Sequence, residues 1–238
     1  MLATVLKKIE EALKPGMSGR DIEELARKEL KRMGGKPVFL GAKGGFGVPD
    51  FPSPICISIN DAVVHGIPTD QPFKAGDIVG FDFGVNYRGM ITDAARTYIV
   101  GGKALSRAAE LLVKTTKRSL DEGIAMVKAG AKTGDIGHAV QTVLEGAGLG
   151  VVRDLVGHGV GHSLHEEPEI PNYGFKGTGT TLKEGMTIAI EPMATLGDWG
   201  VVIDPDRWTI RTADDSLSAH FEDTVLVTRD GAEVLTRL

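Results

Sequence analysis

Four acidic residues occur where acids are unusual, inside or at the end of apolar, strand-like runs of the sequence. They are Asp82, Asp93, Glu191 and Glu222. Asp82, for example, lies between two phenylalanines, in a setting where Asp is disfavoured. One such pair by itself is equally compatible with a hydrated surface, because surface acids are common. Four of them in buried-looking strands instead predict a site where oxygen ligands gather around divalent metal ions.

Histidines supply the nitrogen ligands and proton-transfer groups that such a site needs. The segment GHGVGHSLHEEP contains His158, His162 and His165 among glycines, which let the backbone bring side chains close to a ligand. His65 follows another strand-like run. For His162 we keep the commoner structural reading, with a hydrogen-bonding role. The spacing matches neither a zinc finger nor a His-Glu-x-x-His protease helix. Without a thiolate, the set favours manganese, iron or cobalt, with zinc as an alternative.

Helices and strands must position these groups. Helical patterns cover four segments, residues 2–13, 20–33, 104–122 and 134–147. Ser18 and Asp21 predict a capping box at the second helix, which Gly34 should end. The two runs GDIVGFDFGV and GMITDAARTYIV predict strands joined by a short turn, and MTIAIEPM and SAHFEDTVLVT predict further strands.

The turn between the first two runs predicts a specific pairing of acids. If Val85 pairs with Met90 in a hairpin, Asp82 lies directly opposite Asp93. The Cβ atoms of directly opposite residues are roughly 4.5–5.5 Å apart. Two facing carboxylates on a largely buried sheet repel each other, so one takes a proton or a cation lies between them.

The sequence contains an internal echo, by which we mean two pairs of similar segments that occur in the same order in each half. The segment LKPGMSGRDIEELARKEL, from Leu13, aligns with VKAGAKTGDIGHAVQTVL, from Val127. Later, FKAGDIVGFD aligns with LKEGMTIAIE, which sets Asp82 against Glu191. Chance recurrence of K-x-G turns is the alternative, but two echoes in the same order favour duplication. We therefore predict one domain of residues 1–238 with pseudo-repeat halves of about 1–115 and 116–238, and a site fed by both.

Composition and charge exclude several classes of protein. The net charge is −5 and no basic run is present that could follow phosphates, which argues against nucleic-acid binding. Apolar stretches are too short to span a membrane. The N-terminal segment predicts an amphipathic helix rather than a signal peptide. A single cysteine, Cys56, excludes an internal disulfide and fits a reducing cytoplasm.

Five segments resemble the signature blocks of one known family, the type I methionine aminopeptidases, and occur in the family's order. They are SINDAVVHGIP, GDIVGFDFGVNYRGMITDAARTYIVG, GHGVGHSLHEEP, GMTIAIEPM and SLSAHFEDTV. The resemblance covers nearly the whole chain. It implies the α/β pita-bread fold: two pseudo-symmetric halves, with antiparallel sheet curved around a dinuclear metal site and helices outside. That expectation agrees with the internal echo.

The resemblance also implies an activity, removal of the initiator methionine from nascent proteins and peptides by a metal-dependent exopeptidase. Two divalent metal ions (Co, Mn, Fe or Zn) would be held by Asp82, Asp93, His158, Glu191 and Glu222. Asp93 and Glu222 would bridge both ions, and a water or hydroxide between the ions would be the nucleophile. Glu191 would accept and deliver its proton.

Two histidines and an apolar slot would bind the substrate, according to the same resemblance. His165 would hydrogen-bond the substrate carbonyl, and His65 would contact the scissile amide nitrogen or the second residue. The methionine pocket would be lined by Phe51, Cys56, Leu164 and Trp208. The family often has an aromatic residue where Leu164 stands and a tyrosine where Val48 stands, so pocket shape is expected to differ. Packing is the preferred role for Cys56 over that of a reactive thiol.

Two alternatives remain open. A proline dipeptidase or aminopeptidase P would share the fold and ligands, and Asp223 supports it because the methionine enzymes usually have histidine there. The short chain and the block SINDAVVHGIP oppose it. A non-catalytic binding protein for RNA or protein is the second alternative, and the five intact ligands and acidic net charge oppose that one.

The expected activity also implies a substrate, partners and a cellular location. We expect the N-terminal methionine of nascent polypeptides as substrate, transient proximity to the ribosome, no nucleic acid or membrane partner, a monomer, and a cytoplasmic location. No segment of the sequence predicts ribosome binding.

Overall fold

Four helices form where the sequence predicts them. The structure is a computed structural model that describes residues 1–238. The helices are α1, Leu2–Ala12; α2, Gly19–Met33; α3, Arg107–Ala125; and α4, Thr133–Glu145. Ser18 and Asp21 form the predicted capping box, and Gly34 ends α2 at φ 78°. No helix has both the length and the apolar character needed to cross a membrane.

Fifteen short strands make up the rest of the regular structure. They are β1, Lys36–Pro37; β2, Cys56–Ile59; β3, Ala62–Val64; β4, Ile78–Tyr87; β5, Met90–Ile99; β6, Gly150–Val151; β7, Gly157–Gly159; β8, Glu166–Ile170; β9, Thr187–Ile190; β10, Met193–Thr195; β11, Val201–Ile203; β12, Ile210–Thr212; β13, Ser218–His220; β14, Asp223–Val227; and β15, Ala232–Val234. A 3-10 turn, Val100–Gly102, follows β5.

All strand pairs are antiparallel, and two sheets contain the predicted acids. In the first, β4 pairs with β5 along one edge and with β1 and β2 along the other. In the second, the order is β15-β14-β9-β7-β8. Two three-stranded sheets, β13-β10-β6 and β11-β12-β3, complete the fold.

Helices cover the outer faces of the sheets through separate apolar clusters. Apolar residues recur at helical spacing in α1, where Leu2, Val5, Leu6 and Ile9 are all buried. They pack with α2 against β4 and β5, around Phe81 and other core residues. In the second half, α3 and α4 pack on β9, β10, β13 and β14 through two further clusters. The inner faces of the sheets are left to form the site.

The internal echo has a structural counterpart. Gly16 and Gly130 occupy aligned positions, with φ of 90° and 88°. Their N–H groups donate to the aligned carbonyls of Phe73 and Leu182, each at 2.9 Å. These matched contacts support two related halves, which we retain as a proposal. The predicted boundary near residue 115 falls inside α3, and the division into halves stays a prediction.

Candidate metal centre and substrate pocket

The hairpin of β4 and β5 carries two predicted metal ligands, but in a different register from our prediction. Asp82 lies opposite Ala95, and Asp93 lies opposite Gly84. The predicted direct pairing of Asp82 with Asp93 is therefore wrong. Because the register differs by two residues rather than one, both acids still lie on the same face, as diagonal neighbours.

The turn explains the register. Tyr87 pairs with Met90, which leaves only Arg88 and Gly89 as the loop. Both loop residues have positive φ, 54° and 87°, as a two-residue type I′ turn requires. Glycine adopts this conformation easily, and its position decides where the hairpin closes.

The second half contributes the other ligands from adjacent strands. Asp223 of β14 pairs with Ile190 of β9, so the next step of that ladder brings Glu222 opposite Glu191. His158 lies in β7, which pairs with the other edge of β9. Its Nε2 is 3.7 Å from Oε1 of Glu191.

All five predicted ligands line one cavity of about 280 Å³. Ligand atoms of Asp93, His158 and Glu222 lie within 4.8 Å of one another. One oxygen of each of Asp82, Asp93 and Glu222 is buried without a hydrogen-bond partner. Buried carboxylate oxygens without partners are costly, and a cation would relieve that cost. The residues therefore fit a divalent metal centre.

Burial raises the pKa of all four carboxyl groups, and repulsion by neighbouring carboxylates adds to this in Asp82, Asp93 and Glu222. Loss of hydration is the largest cause in each, and it raises the pKa of Asp93 and of Glu191 to about 7. The pKa values of Asp82 and Glu222 lie well above the ordinary range, through burial and then through the charge of Asp93. Below about pH 7 the metal-free groups hold protons, so metal binding there displaces protons.

The metal-free protein should lose stability as pH rises. Asp93 and Glu191 keep protons up to about pH 7 in the folded chain but release them near their ordinary values of 3.8 and 4.5 when unfolded. Between these values the folded state binds more protons, so the free energy of unfolding falls with rising pH. We expect a lower Tm at about pH 8 than at about pH 5.5 in EDTA-treated protein, and the largest stabilisation by Mn²⁺ at the higher pH. Asp93→Asn should flatten the dependence, and a Tm that rises over this range would contradict the prediction.

The hydrogen bond of His158 selects which ring nitrogen faces the cavity. Nδ1 lies 2.9 Å from the carbonyl oxygen of Gly159, so we assign the proton to Nδ1 as the donor. Burial lowers the pKa of His158, which favours the neutral ring. Nε2 then presents its lone pair toward Glu191 and the cavity, as a metal ligand must.

His65 and His165 line the same cavity, as predicted, while His162 does not. The rings of His158 and His165 are 4.5 Å apart in an edge-to-face arrangement. Burial, and then the nearby His220 and His165, lower the pKa of His65 to about 4. His65 also has a φ of 57°, a strained conformation for a non-glycine residue that is typical of functional sites. His162 is exposed and does not line the cavity, and the hydrogen-bonding role predicted for it stays a prediction.

The wall of the cavity beside the ligands is apolar and contains all four predicted pocket residues. Phe51, Cys56, Leu164 and Trp208 line it. The Phe51 and Trp208 rings meet edge to face at 5.2 Å, and Trp208 Nε1 donates to the Pro49 carbonyl at 2.8 Å. Burial and nearby carboxylates raise the pKa of the Cys56 thiol well above its ordinary value, so it stays protonated and packs as a small apolar group.

Three further lining residues were missed from the sequence. Phe39, Ala42 and Lys43 also face the cavity. The side chain of Val48, which we expected to affect the pocket, packs against Gly44. A Cβ atom added to Gly44 would lie only 2.4 Å from Cγ1 of Val48. The effect of Val48 on pocket shape stays a prediction, and no local pattern separates Phe39 from ordinary core residues.

Asp223 faces away from the site. Successive residues along a strand point to opposite faces of the sheet. Glu222 points into the cavity, so Asp223 points to the opposite face. It is fully buried and accepts hydrogen bonds from Arg96 at 2.6 Å and from Thr236 and Arg237 at 2.7 Å. The departure from the family pattern at Asp223 therefore does not alter the pocket.

His220 is a site neighbour that sequence reasoning missed. It is buried, and its Nε2 lies 3.5 Å from Oε2 of Glu191 with no hydrogen-bond partner. Burial lowers its pKa to about 3, so the ring is neutral near pH 7. Its signal was available: His220 is two residues before Glu222 in a strand-like run, and such residues share a face.

Comparison with known proteins identifies the family. A model of metallopeptidase family M24 matches residues 1–229 of this chain. The chain belongs to the M24 metallopeptidases. This M24 chain is 41% identical to the methionine aminopeptidase of Mycoplasma capricolum over 237 residues, which cover 100% of this chain and 92% of that protein. It is 43% identical to the methionine aminopeptidase of Aquifex aeolicus over 242 residues, 100% of this chain and 93% of that one. The resemblance to methionine aminopeptidases is confirmed.

Solved structures confirm the fold of this M24 chain. The crystal structure of methionine aminopeptidase from Thermotoga maritima matches with a TM-score of 0.94 and 44% identity, over 100% of this chain and 92% of that chain. The expected pita-bread arrangement is therefore correct. Prolidase from Pyrococcus furiosus matches with a TM-score of 0.75 at 23% identity and shares the fold alone.

Proposed function

We propose that this M24 chain is a methionine aminopeptidase that removes the N-terminal methionine from proteins and peptides. One observation carries the proposal: a single cavity has metal-binding side chains on one wall and an apolar, thioether-sized slot on the other. The reacting bond and the side chain of the first residue can therefore be held together. Relatives that match over the whole chain are methionine aminopeptidases.

Two divalent ions are proposed from the balance of charge. The four carboxylates, Asp82, Asp93, Glu191 and Glu222, carry four negative charges when ionised, which two divalent cations would neutralise. Together with the imidazole of His158 they form a donor set without thiolate, suited to Mn, Fe or Co and compatible with Zn. When bound, the ions would polarise the substrate carbonyl and lower the pKa of a water molecule.

The chain's own groups supply proton transfer and hydrogen bonding. Glu191 lies between two imidazoles, with its carboxylate oxygens 3.7 Å from Nε2 of His158 and 3.5 Å from Nε2 of His220, and would accept and return the proton of the attacking water. His165, at the cavity wall, would donate a hydrogen bond to the oxygen of the scissile carbonyl. His65 would contact the scissile amide nitrogen or the second residue. Both rings have lowered pKa values and so are neutral donors.

Selectivity for a chain terminus would follow from contact of the free α-amine with the metal centre. An amine nitrogen has a lone pair that can bind a cation, whereas the lone pair of an internal amide nitrogen is delocalised into its carbonyl. The unbranched thioether of methionine then fits beside Phe51, Cys56, Leu164 and Trp208.

A second cavity provides a route for the remainder of the substrate. It measures about 460 Å³ and shares four residues with the first: His65, His158, His165 and Glu191. Because the scissile bond would lie at these shared residues, the peptide beyond the methionine would leave through the second cavity. Its outer wall includes the exposed acids Glu167 and Glu169.

Peptide specificity tests the proposed activity. We expect release of methionine from Met-Ala-Ser and no release of the first residue from Ala-Pro-Ser, measured by chromatography of the free amino acids. Acetyl-Met-Ala-Ser is the matched control, because it keeps the side chain but has no free α-amine, and it should remain intact. Cleavage of the proline peptide in place of the methionine peptide would transfer the proposal to the proline-specific relatives.

The biological setting remains proposed. A substrate that is the N-terminus of a nascent polypeptide would bring the enzyme transiently near the ribosome in the cytoplasm, and we expect it to act as a monomer. No feature of the site requires residues from a second copy.

A further inference from the structure

The two halves meet in a contact that we call the junction, formed by residues 93–97 of β5 and residues 220–224. Three matched contacts cross it, two residues apart along each segment. They join Asp93 with Thr224, Ala95 with Glu222, and Thr97 with His220. Each contact includes a residue at the proposed metal centre: Asp93, Glu222 or His220.

The central contact is an ordinary pair of backbone hydrogen bonds. The N–H of Glu222 donates to the carbonyl of Ala95 at 3.0 Å, and the N–H of Ala95 donates to the carbonyl of Glu222 at 3.3 Å. Arg96 also donates to the Glu222 carbonyl while it pairs with Asp223. The backbone beside Glu222 is thus held directly to the first half.

The two outer contacts use threonine hydroxyls in place of a second backbone. Thr224 Oγ1 accepts from the N–H of Asp93 at 2.9 Å and donates to the carbonyl of Asp93 at 2.7 Å. Thr97 Oγ1 donates to the carbonyl of His220 at 2.6 Å and accepts from its N–H at 3.0 Å. Each hydroxyl therefore satisfies both backbone groups of a residue at the site.

The backbone of Thr224 is already occupied, which explains why a side chain makes this contact. Its N–H donates to Thr236 Oγ1 at 3.1 Å, and its carbonyl accepts from the N–H of Leu235 at 2.9 Å. The N–H and carbonyl of Asp93 are buried and would have no partner without the Thr224 hydroxyl. Buried backbone groups without partners are strongly avoided, so loss of the hydroxyl would displace this part of β5.

We infer that Thr224 and Thr97 are positioning residues for the metal centre. Thr224 holds the backbone of Asp93, and Thr97 holds the backbone of His220 beside Glu191. Both contacts fix the position of the held residue relative to Glu222, which the central contact holds. The inference rests on the proposed metal ligation by Asp93 and Glu222. Neither threonine lines the cavity, and each acts through the backbone of the residue it binds.

Calorimetric titration of the metal-stripped, full-length protein with Mn²⁺ tests the inference. Thr224→Val keeps the size of the side chain and removes the hydroxyl, and we expect the Kd for Mn²⁺ to rise by about 10- to 100-fold, as for other outer residues that orient ligands. Thr224→Ser keeps the hydroxyl and should bind Mn²⁺ with a Kd close to that of the unchanged protein. Thr97→Val should also raise the Kd for Mn²⁺, because it releases the backbone of His220 beside Glu191. If Thr224→Val does not fold, the Kd of Thr97→Val tests the inference instead.

Thr116→Val is the matched control for lost stability. Thr116 is fully buried in α3, and its hydroxyl donates to the Leu112 carbonyl at 2.8 Å, away from the cavity. It should leave the Kd unchanged. An unchanged Kd in Thr224→Val, or an equal rise in Thr116→Val, would overturn the inference. Asp93→Ala separates failure of the positioning role from failure of the proposed metal ligands. If this variant binds Mn²⁺ with an unchanged Kd, the proposed ligand set is wrong.

Discussion

Replacement of Glu191 by alanine should abolish peptide hydrolysis. The change removes a proposed metal ligand and the group proposed to carry the proton. Loss of proton transfer alone typically lowers the rate by roughly 10²–10⁴-fold, and loss of a ligand adds to that. We therefore expect kcat/KM for Met-Ala-Ser to fall by at least about 10³-fold.

Two variants make the Glu191 result specific. Glu191→Gln keeps the size of the side chain and one oxygen but cannot accept the proton, so it should also be inactive while it retains more Mn²⁺ affinity than Glu191→Ala. Glu184→Ala removes an exposed acid of the same half, 3.9 Å from Arg229 and distant from the cavity wall, and should be fully active. Near-normal turnover in Glu191→Ala would contradict the mechanism.

His165→Ala should separate catalysis from metal binding. His165 lines the cavity beside His158, but it is not among the proposed ligands. Removal of one hydrogen-bond donor to a developing oxyanion typically lowers kcat by roughly 10²–10³-fold. We expect that loss in kcat, with the Mn²⁺ stoichiometry and Kd of the unchanged protein.

Neighbouring histidines provide the comparison for His165. His162→Ala, an exposed position three residues earlier, should retain both activity and metal. His158→Ala should lose metal affinity, because its Nε2 faces Glu191 across the proposed centre. If His165→Ala instead loses bound metal, its assignment to the substrate is wrong.

The departure at Asp223 shows how a motif comparison can misplace a residue. From the sequence, aspartate there supported a proline-specific enzyme. In the structure its carboxylate is enclosed by Arg96, Thr236 and Arg237 behind the sheet. The buried ion pair holds the start of β14, directly after Glu222, and does not face the cavity. Its effect on specificity can therefore only be indirect.

The sequence by itself determined the features that depend on local chemistry. Helix ends followed from caps such as Ser18 with Asp21, because the bonding partners lie three residues apart. The acids in apolar strands were conspicuous because burial makes each costly. Alternation along a strand was enough to place Asp82 and Asp93 on one face, since a register error of two residues does not change the face.

Only the tertiary structure decided the relations between distant segments. The position of His220 beside Glu191 depended on how β10 and β13 pair. The junction hydroxyls became meaningful only when Asp93 and Thr224 were seen in contact. Such contacts join residues more than a hundred positions apart, where local periodicity carries no information and the packing of the two halves sets the distances.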